Sequence, residues 1–218
     1  MRLQRIEFGS LLSYSPHGYS ASDIASKGWM VAVKQDQFVQ TGARRIPMSE
    51  FVSETVEQSL DRLPFSRLFA GKPVLVPTPS SSLKKPDSLD VPIRIATALM
   101  KKKLGNDVAE CLVRVKPLPK SATSAAASRS TVAQHFDSFE VQGTLTKPES
   151  ILLVDDVVTR GATLLGAANC LVESYPEAKV AAFVALRAVS NPSEFKGVWE
   201  PVIGSITLQP NGGTMRKP

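Results

Sequence analysis

At 218 residues and 43% apolar content, the chain is long enough to bury about 70% of its unfolded surface without a disulfide or structural metal. Its net charge of +6 comes with only 6% aromatic residues, so the basic balance lacks the ring partners of a nucleic-acid surface, and an anionic small molecule accounts for it equally well. Two Cys and two His without ligand spacing exclude a structural zinc site, and Cys111 and Cys170 read as reduced core thiols.

In chain order, the first seventy residues offer two strand-like runs, Arg2 to Leu12 and Trp29 to Val33. A helix follows, with Ser49 as N-cap and Val52, Val56 and Leu60 as its apolar stripe. The chain divides near Gly71-Lys72-Pro73, which separates an N-terminal extension, 1–72, from a core, 73–218. Beyond that point strands and helices alternate. Val74-Leu75-Val76 reads as a buried strand, followed by a Pro/Ser loop from Pro77 to Ser82. A helix spans Val91 to Leu104, with Lys in its last turn and Gly105 as the C′ residue. Leu112 to Val115 is the next strand, and a polar, small-residue segment separates it from Phe139-Glu140-Val141. The strand beginning at Ile151, a helix ending at Tyr175 before Pro176, and a strand from Val180 to Leu186 complete the pattern of a mainly parallel α/β sheet. His17 lies in a Pro/Gly/Ser/Tyr stretch, and His135 reads as a surface residue.

The chemistry concentrates after Ile151. Four apolar residues, Ile151 to Val154, run into Asp155-Asp156, and Val157-Val158-Thr159-Arg160-Gly161-Ala162-Thr163 leads into a helix. A buried parallel strand places such carboxylates at its C-terminal end, where open α/β sheets bind ligands. The turn supplies backbone N–H groups at a helix N-terminus, which suit a phosphate. Carboxylates beside an anion cradle fit a phosphorylated sugar. Solvated loop acids are the bland reading. A magnesium site beside a nucleotide is weakened by the absence of any G-x-x-x-x-G-K-[ST] motif.

The segment Val154 to Thr163 resembles the phosphoribosyl-pyrophosphate (PRPP) motif of the type I phosphoribosyltransferases. The resemblance implies an α/β fold of that type: a mainly parallel twisted sheet flanked by helices, with a hood from the N- and C-terminal segments. It implies that Asp155 and Asp156 are the catalytic pair that binds the ribose hydroxyls. Val158, Thr159, Arg160, Gly161, Ala162 and Thr163 would then wrap the 5′-phosphate. Many members have Thr where this chain has Arg160, whose guanidinium reaches either a phosphate oxygen or a structural partner. Thr78, Pro79, Ser80 and Ser81 sit where these enzymes place the pyrophosphate loop, although an ordinary strand-to-helix turn reads the same way.

Arg114-Val115-Lys116, Lys120 and Ser128-Arg129 resemble the basic strand end and mobile loop of ComF-type phosphoribosyltransferases, here without the zinc finger. Lys116, Lys120 and Arg129 would neutralise departing pyrophosphate; a flexible linker with solvated charges is the alternative. The implied activity is Mg2+-dependent pentosyl transfer from PRPP to a nitrogen nucleophile, part of nucleotide metabolism. The metal would be carried mainly by PRPP, with no direct protein ligand assigned. The rival is a PRPP-binding regulatory or nucleic-acid-associated protein without turnover. A nucleic-acid-binding protein proper would show steep salt dependence.

No run approaches the roughly 20 apolar residues of a membrane span, and Arg2, Arg5 and Glu7 interrupt the N-terminus, so a cytoplasmic protein is expected. The resemblance is compatible with a homodimer. The residues name neither acceptor nor pathway.

Overall fold

The computed structural model describes residues 2–80, 82–83, 89–118, 130–143 and 145–218. Its centre is a seven-stranded sheet in the order β11-β10-β1-β9-β8-β4-β5. These strands are β1 (Arg5–Tyr14), β4 (Val74–Pro77), β5 (Asp107–Val108), β8 (Ser150–Val158), β9 (Lys179–Ala188), β10 (Trp199–Leu208) and β11 (Thr214–Lys217). From β1 through β5 every neighbouring pair is parallel, whereas β10 and β11 add an antiparallel hairpin at one edge. The expected mixed α/β fold with a mainly parallel sheet is what the chain adopts.

Both faces of the sheet are covered, as the near-continuous apolar runs of its strands require. Alternate residues of β8 serve the two sides. Leu152 and Val154 join one core with Leu75, Phe183, Val33, Val52, Val56, Ile95 and Leu99. The helices on that face are α1 (Ala21–Lys34), α2 (Met48–Ser59) and α3 (Val91–Lys101). Ile151 and Leu153 join the other core with Phe8, Val76, Val184, Leu164, Ala168 and Leu171. That face carries α4 (Val132–Phe136), α5 (Ala162–Ser174) and the hairpin of β6 (Leu112–Arg114) with β7 (Phe139–Val141). A second small hairpin, β2 (Phe38–Thr41) with β3 (Arg44–Pro47), precedes α2.

Several local expectations change. Trp29 to Val33 is helical, not a strand: Ser20 caps α1 through a reciprocal pair with Asp23, and a short apolar run alone does not separate helix from strand. The α2 helix begins at Met48, and Ser49 is buried within it; the Ser49 N–H donates to Asp36 Oδ1 at 2.7 Å, so a carboxylate from a distant turn does the capping. Gly105 is not the C′ residue of α3. That helix ends at Lys101, and Lys103 takes the left-handed conformation at φ 60°. A Cβ on Gly105 would sit 2.6 Å from Leu75 Cγ, so close packing is what requires glycine there.

β1 pairs with β9 on one side and β10 on the other, so the segment before residue 72 shares one sheet with the segment after it.

Candidate functional site

The connections leaving β4 and β8 diverge. From β4 the chain passes through α3 on one face to β5, and from β8 it passes through α5 on the other face to β9. β4 and β8 are neighbours, so this is a topological switch point, where the carboxyl ends of adjacent strands leave a crevice for a ligand. Pro77 pairs with Val154, and the Thr78 N–H donates to the Val154 carbonyl at 2.8 Å. Thr78 and Asp155-Asp156 therefore line the two sides of that crevice. The Thr78 hydroxyl is buried and makes no hydrogen bond among the described residues.

The strand does not stop at the carboxylates; β8 continues to Val158. The Asp156 N–H donates to Asp155 Oδ1 at 3.0 Å, and the Val157 N–H donates to Asp156 Oδ1 at 2.6 Å. The charge of Asp155 acts on Arg114, and that of Asp156 acts on Tyr14 and on Asp155 itself. Crowding by protein, reinforced by the Asp156 charge, raises the Asp155 pKa well above the ordinary carboxylate range. Burial first, and then Asp156, also pushes the Tyr14 phenol up.

Past Val158, which is buried, Thr159 and Arg160 are exposed and Gly161 starts α5. Gly161 has φ 91°, a left-handed value that favours glycine, and a Cβ there would lie 2.5 Å from Ile206 Cδ1. No side chain caps this helix. Its first N–H groups have no intrahelical acceptor, so Ala162 and Thr163 present donors at a positive helix end.

Arg114 braces the other side of the crevice. Its guanidinium donates to the carbonyls of Ser80 and Pro79, the latter at 3.4 Å, and to Ser138 Oγ at 2.5 Å. It also lies 4.2 Å from the centre of the Phe139 ring. Burial lowers its pKa to about 10. Phe139 stacks in turn on His135, at 6.5 Å between centroids. His135, expected at the surface, is 2% exposed, because α4 packs flat on the first turns of α5, where Gly166 admits it. Desolvation drops its pKa to about 4, so the imidazole is neutral, with Nε2 3.4 Å from Thr163 Oγ1.

The structure thus brings Thr78, Pro79, Ser80, Asp155, Asp156 and Val158 to Thr163 to one edge of the sheet. Lys116 is exposed just after β6, while Ser81, Lys120 and Arg129 lie outside the described residues. Sequence reasoning gave neither Thr214 nor Arg216 a role at the site. Arg216 Nε donates to the Thr159 carbonyl at 2.7 Å, and Thr214 Oγ1 donates to the Arg160 carbonyl at 3.0 Å. Exposure alternates along β11 in the fold, but a four-residue strand is too short for its sequence to show a period. Cys111 and Cys170 are free and buried, as expected. Among the described residues no group of three His, Cys, Asp or Glu side chains could hold a metal by itself, and no helix is long and apolar enough to cross a membrane.

The chain matches no family profile and no curated protein sequence. Among solved structures it is similar to adenine phosphoribosyltransferase from Leishmania tarentolae, with 11% identity and a TM-score of 0.37 over 78% of this chain and 88% of that one. Adenine phosphoribosyltransferase from Leishmania donovani gives 11% identity and a TM-score of 0.36 over 77% and 86%. Hypoxanthine phosphoribosyl transferase from Trypanosoma cruzi gives 11% and 0.37 over 75% and 89%. Likenesses this distant transfer no residue's role to this chain.

Proposed function

We propose that the chain is a PRPP-dependent phosphoribosyltransferase, in which a nitrogen nucleophile displaces pyrophosphate from the anomeric carbon. The observation that carries the reading is the switch point between β4 and β8. It sets two adjacent carboxylates and an uncapped, glycine-started helix N-terminus beside a buried Thr78 hydroxyl that lacks a partner among the described residues. Asp155 and Asp156 accept hydrogen bonds from the vicinal ribose diol and place negative charge near a sugar that becomes oxocarbenium-like. The Thr159 to Thr163 turn takes the 5′-phosphate. Thr78 to Ser80, braced by Arg114, and Lys116 receive pyrophosphate; Ser81, Lys120 and Arg129 belong to the same proposal from sequence alone.

The donor set here is all oxygen: two carboxylates and a hydroxyl. That suits Mg2+, which binds through one or two carboxylates plus substrate phosphates. Asp155, Asp156 and Thr78 are the residues that would hold it, and the ion would offset charge on the pyrophosphate. The 1–72 segment and the β10–β11 hairpin form the hood that selects the acceptor, which is a nucleobase or a related nitrogen compound. A cytoplasmic enzyme is part of the reading; a ComF-like subtype rests on the Arg114 to Arg129 resemblance alone.

Two measurements test this. Titration of PRPP with Mg2+ should show binding in the wild type and at least about tenfold weaker binding, or ~1.4 kcal/mol, in Asp155→Asn and Asp156→Asn. Unchanged affinity in both variants overturns the site. Because the Asp155 pKa is raised, the carboxyl is a neutral, weaker acceptor at low pH, and affinity should climb as pH rises through that value. Asp155→Asn should lack that climb. Pyrophosphate release is then followed with nucleobases, ammonia and nicotinate-like acids. Tight PRPP binding without release by any acceptor would favour a PRPP-binding regulatory protein.

A further inference from the structure

The antiparallel hairpin at the edge of the sheet enters the proposed function only as part of the hood that selects the acceptor, yet β11 touches the phosphate turn directly. Thr214 and Arg216 are two residues apart and so share one face of β11, alternating with exposed Met215 and Lys217. From that face Thr214 Oγ1 takes the Arg160 carbonyl, and Arg216 Nε takes the Thr159 carbonyl. Arg216 also reaches the Ala188 carbonyl at the end of β9, and its guanidinium lies 5.7 Å from the centre of the Phe8 ring. On the adjacent strand, Ile206 fills the space where Gly161 has no side chain.

A trans peptide is planar, with its C=O and N–H pointing in opposite directions. Pinning the carbonyls of Thr159 and Arg160 to β11 therefore turns the N–H groups of Arg160 and Gly161 away from it. Two peptide units in succession are oriented this way, immediately before the uncapped first turn of α5, whose own N–H groups are free of intrahelical acceptors. Left to itself, a Thr-Arg-Gly turn samples both orientations of each peptide plane. One of these would present carbonyl oxygens, which repel an anion.

We propose that Thr214 and Arg216 are positioning residues: β11 clamps the two carbonyls of the turn so that its amides are held ready for a phosphate. This rests on the phosphoribosyl reading of the site. The two residues touch the turn from behind and do not touch the ligand. The clamp also gives the C-terminal strand a task distinct from choosing the acceptor.

The test uses the full chain, ribose 5-phosphate as ligand, calorimetry, and backbone amide NMR. Thr214→Val, which keeps shape but loses the hydroxyl, should bind ribose 5-phosphate roughly three- to tenfold more weakly, the worth of one hydrogen bond. Thr214→Ser should restore wild-type affinity. Arg216→Lys keeps the charge but not the several-carbonyl grip, and should also weaken binding, which separates orientation from simple attraction. Without ligand, the amide shifts of Arg160 and Gly161 should move in Thr214→Val and return in Thr214→Ser. Equal affinity in Thr214→Val, Arg216→Lys and wild type, with unmoved shifts, overturns the clamp. If the wild type ignores ribose 5-phosphate while the shifts move and return as stated, the clamp stands and the phosphoribosyl reading fails.

Discussion

The two edges of the same parallel sheet are built in opposite ways. At the N-terminal ends of β4, β8 and β9 lies a broad depression of about 1510 Å3, lined by Val74, Ile151, Tyr175, Val180 and charged residues such as Lys147 and Glu177. At the carboxyl ends lie two adjacent aspartates, a buried Thr78 hydroxyl without a partner among the described residues, and a turn whose carbonyls are tied back to β11. The first edge holds a large open volume, and the second gathers polar groups. The difference follows from chain direction: carboxyl ends of strands lead into helix N-termini, so unpaired N–H groups gather there, whereas the other edge collects helix C-termini and incoming loops.

Paired glycine substitutions break the comparison most sharply. Gly161→Ala faces both a left-handed φ and a Cβ 2.5 Å from Ile206, together costing about 2–5 kcal/mol of stability. Ribose 5-phosphate binding should vanish even in the folded fraction. Gly105→Ala, near the opposite edge, meets Leu75 and should lose about 1–3 kcal/mol, seen as a lower urea midpoint, with ligand affinity intact. Loss of affinity in both variants would mean that the two edges are not separable.

A second test reads pH. The His135 pKa is depressed to about 4 in the folded protein, against 6.5 when unfolded. The unfolded chain therefore binds a proton first, and stability should fall as pH drops from 6.5 toward 4 by a total on the order of 3 kcal/mol. Asp155 has the opposite sign, since its raised pKa makes stability fall as pH rises through the folded value. His135→Gln should flatten the acid limb of urea-unfolding free energy against pH. An unaltered acid limb would place the sensitivity elsewhere. The smallest effect concerns the depression itself: Lys147→Ala and Glu177→Ala should leave PRPP affinity unchanged. A clear drop in either variant would reopen that edge as a binding site.

Much of the site can be read from the chain because it is local. Asp155 through Thr163 are contiguous, so an apolar strand, its carboxylates and a Thr-Gly turn stand in one line of sequence. Helix α1 was hidden, because its cap lies nine residues before Trp29 and a five-residue apolar window carries no period. His135 misled for a different reason. Its burial depends on α4 meeting α5 at Gly166, a contact between elements thirty residues apart.

By itself, then, the sequence determined the alternation that makes a parallel sheet, the strand that carries Asp155 and Asp156, and the glycine that starts α5. These depend on neighbours within one helical turn or one strand. Only the tertiary structure decided that β1 lies inside the sheet, that β4 and β8 diverge to open a crevice at Thr78, and that Arg114 braces the loop beside it. It also brought Thr214 and Arg216 onto carbonyls more than fifty residues away. Hydrogen bonds across such separations leave no periodic trace, because their partners are chosen by strand order and not by spacing along the chain.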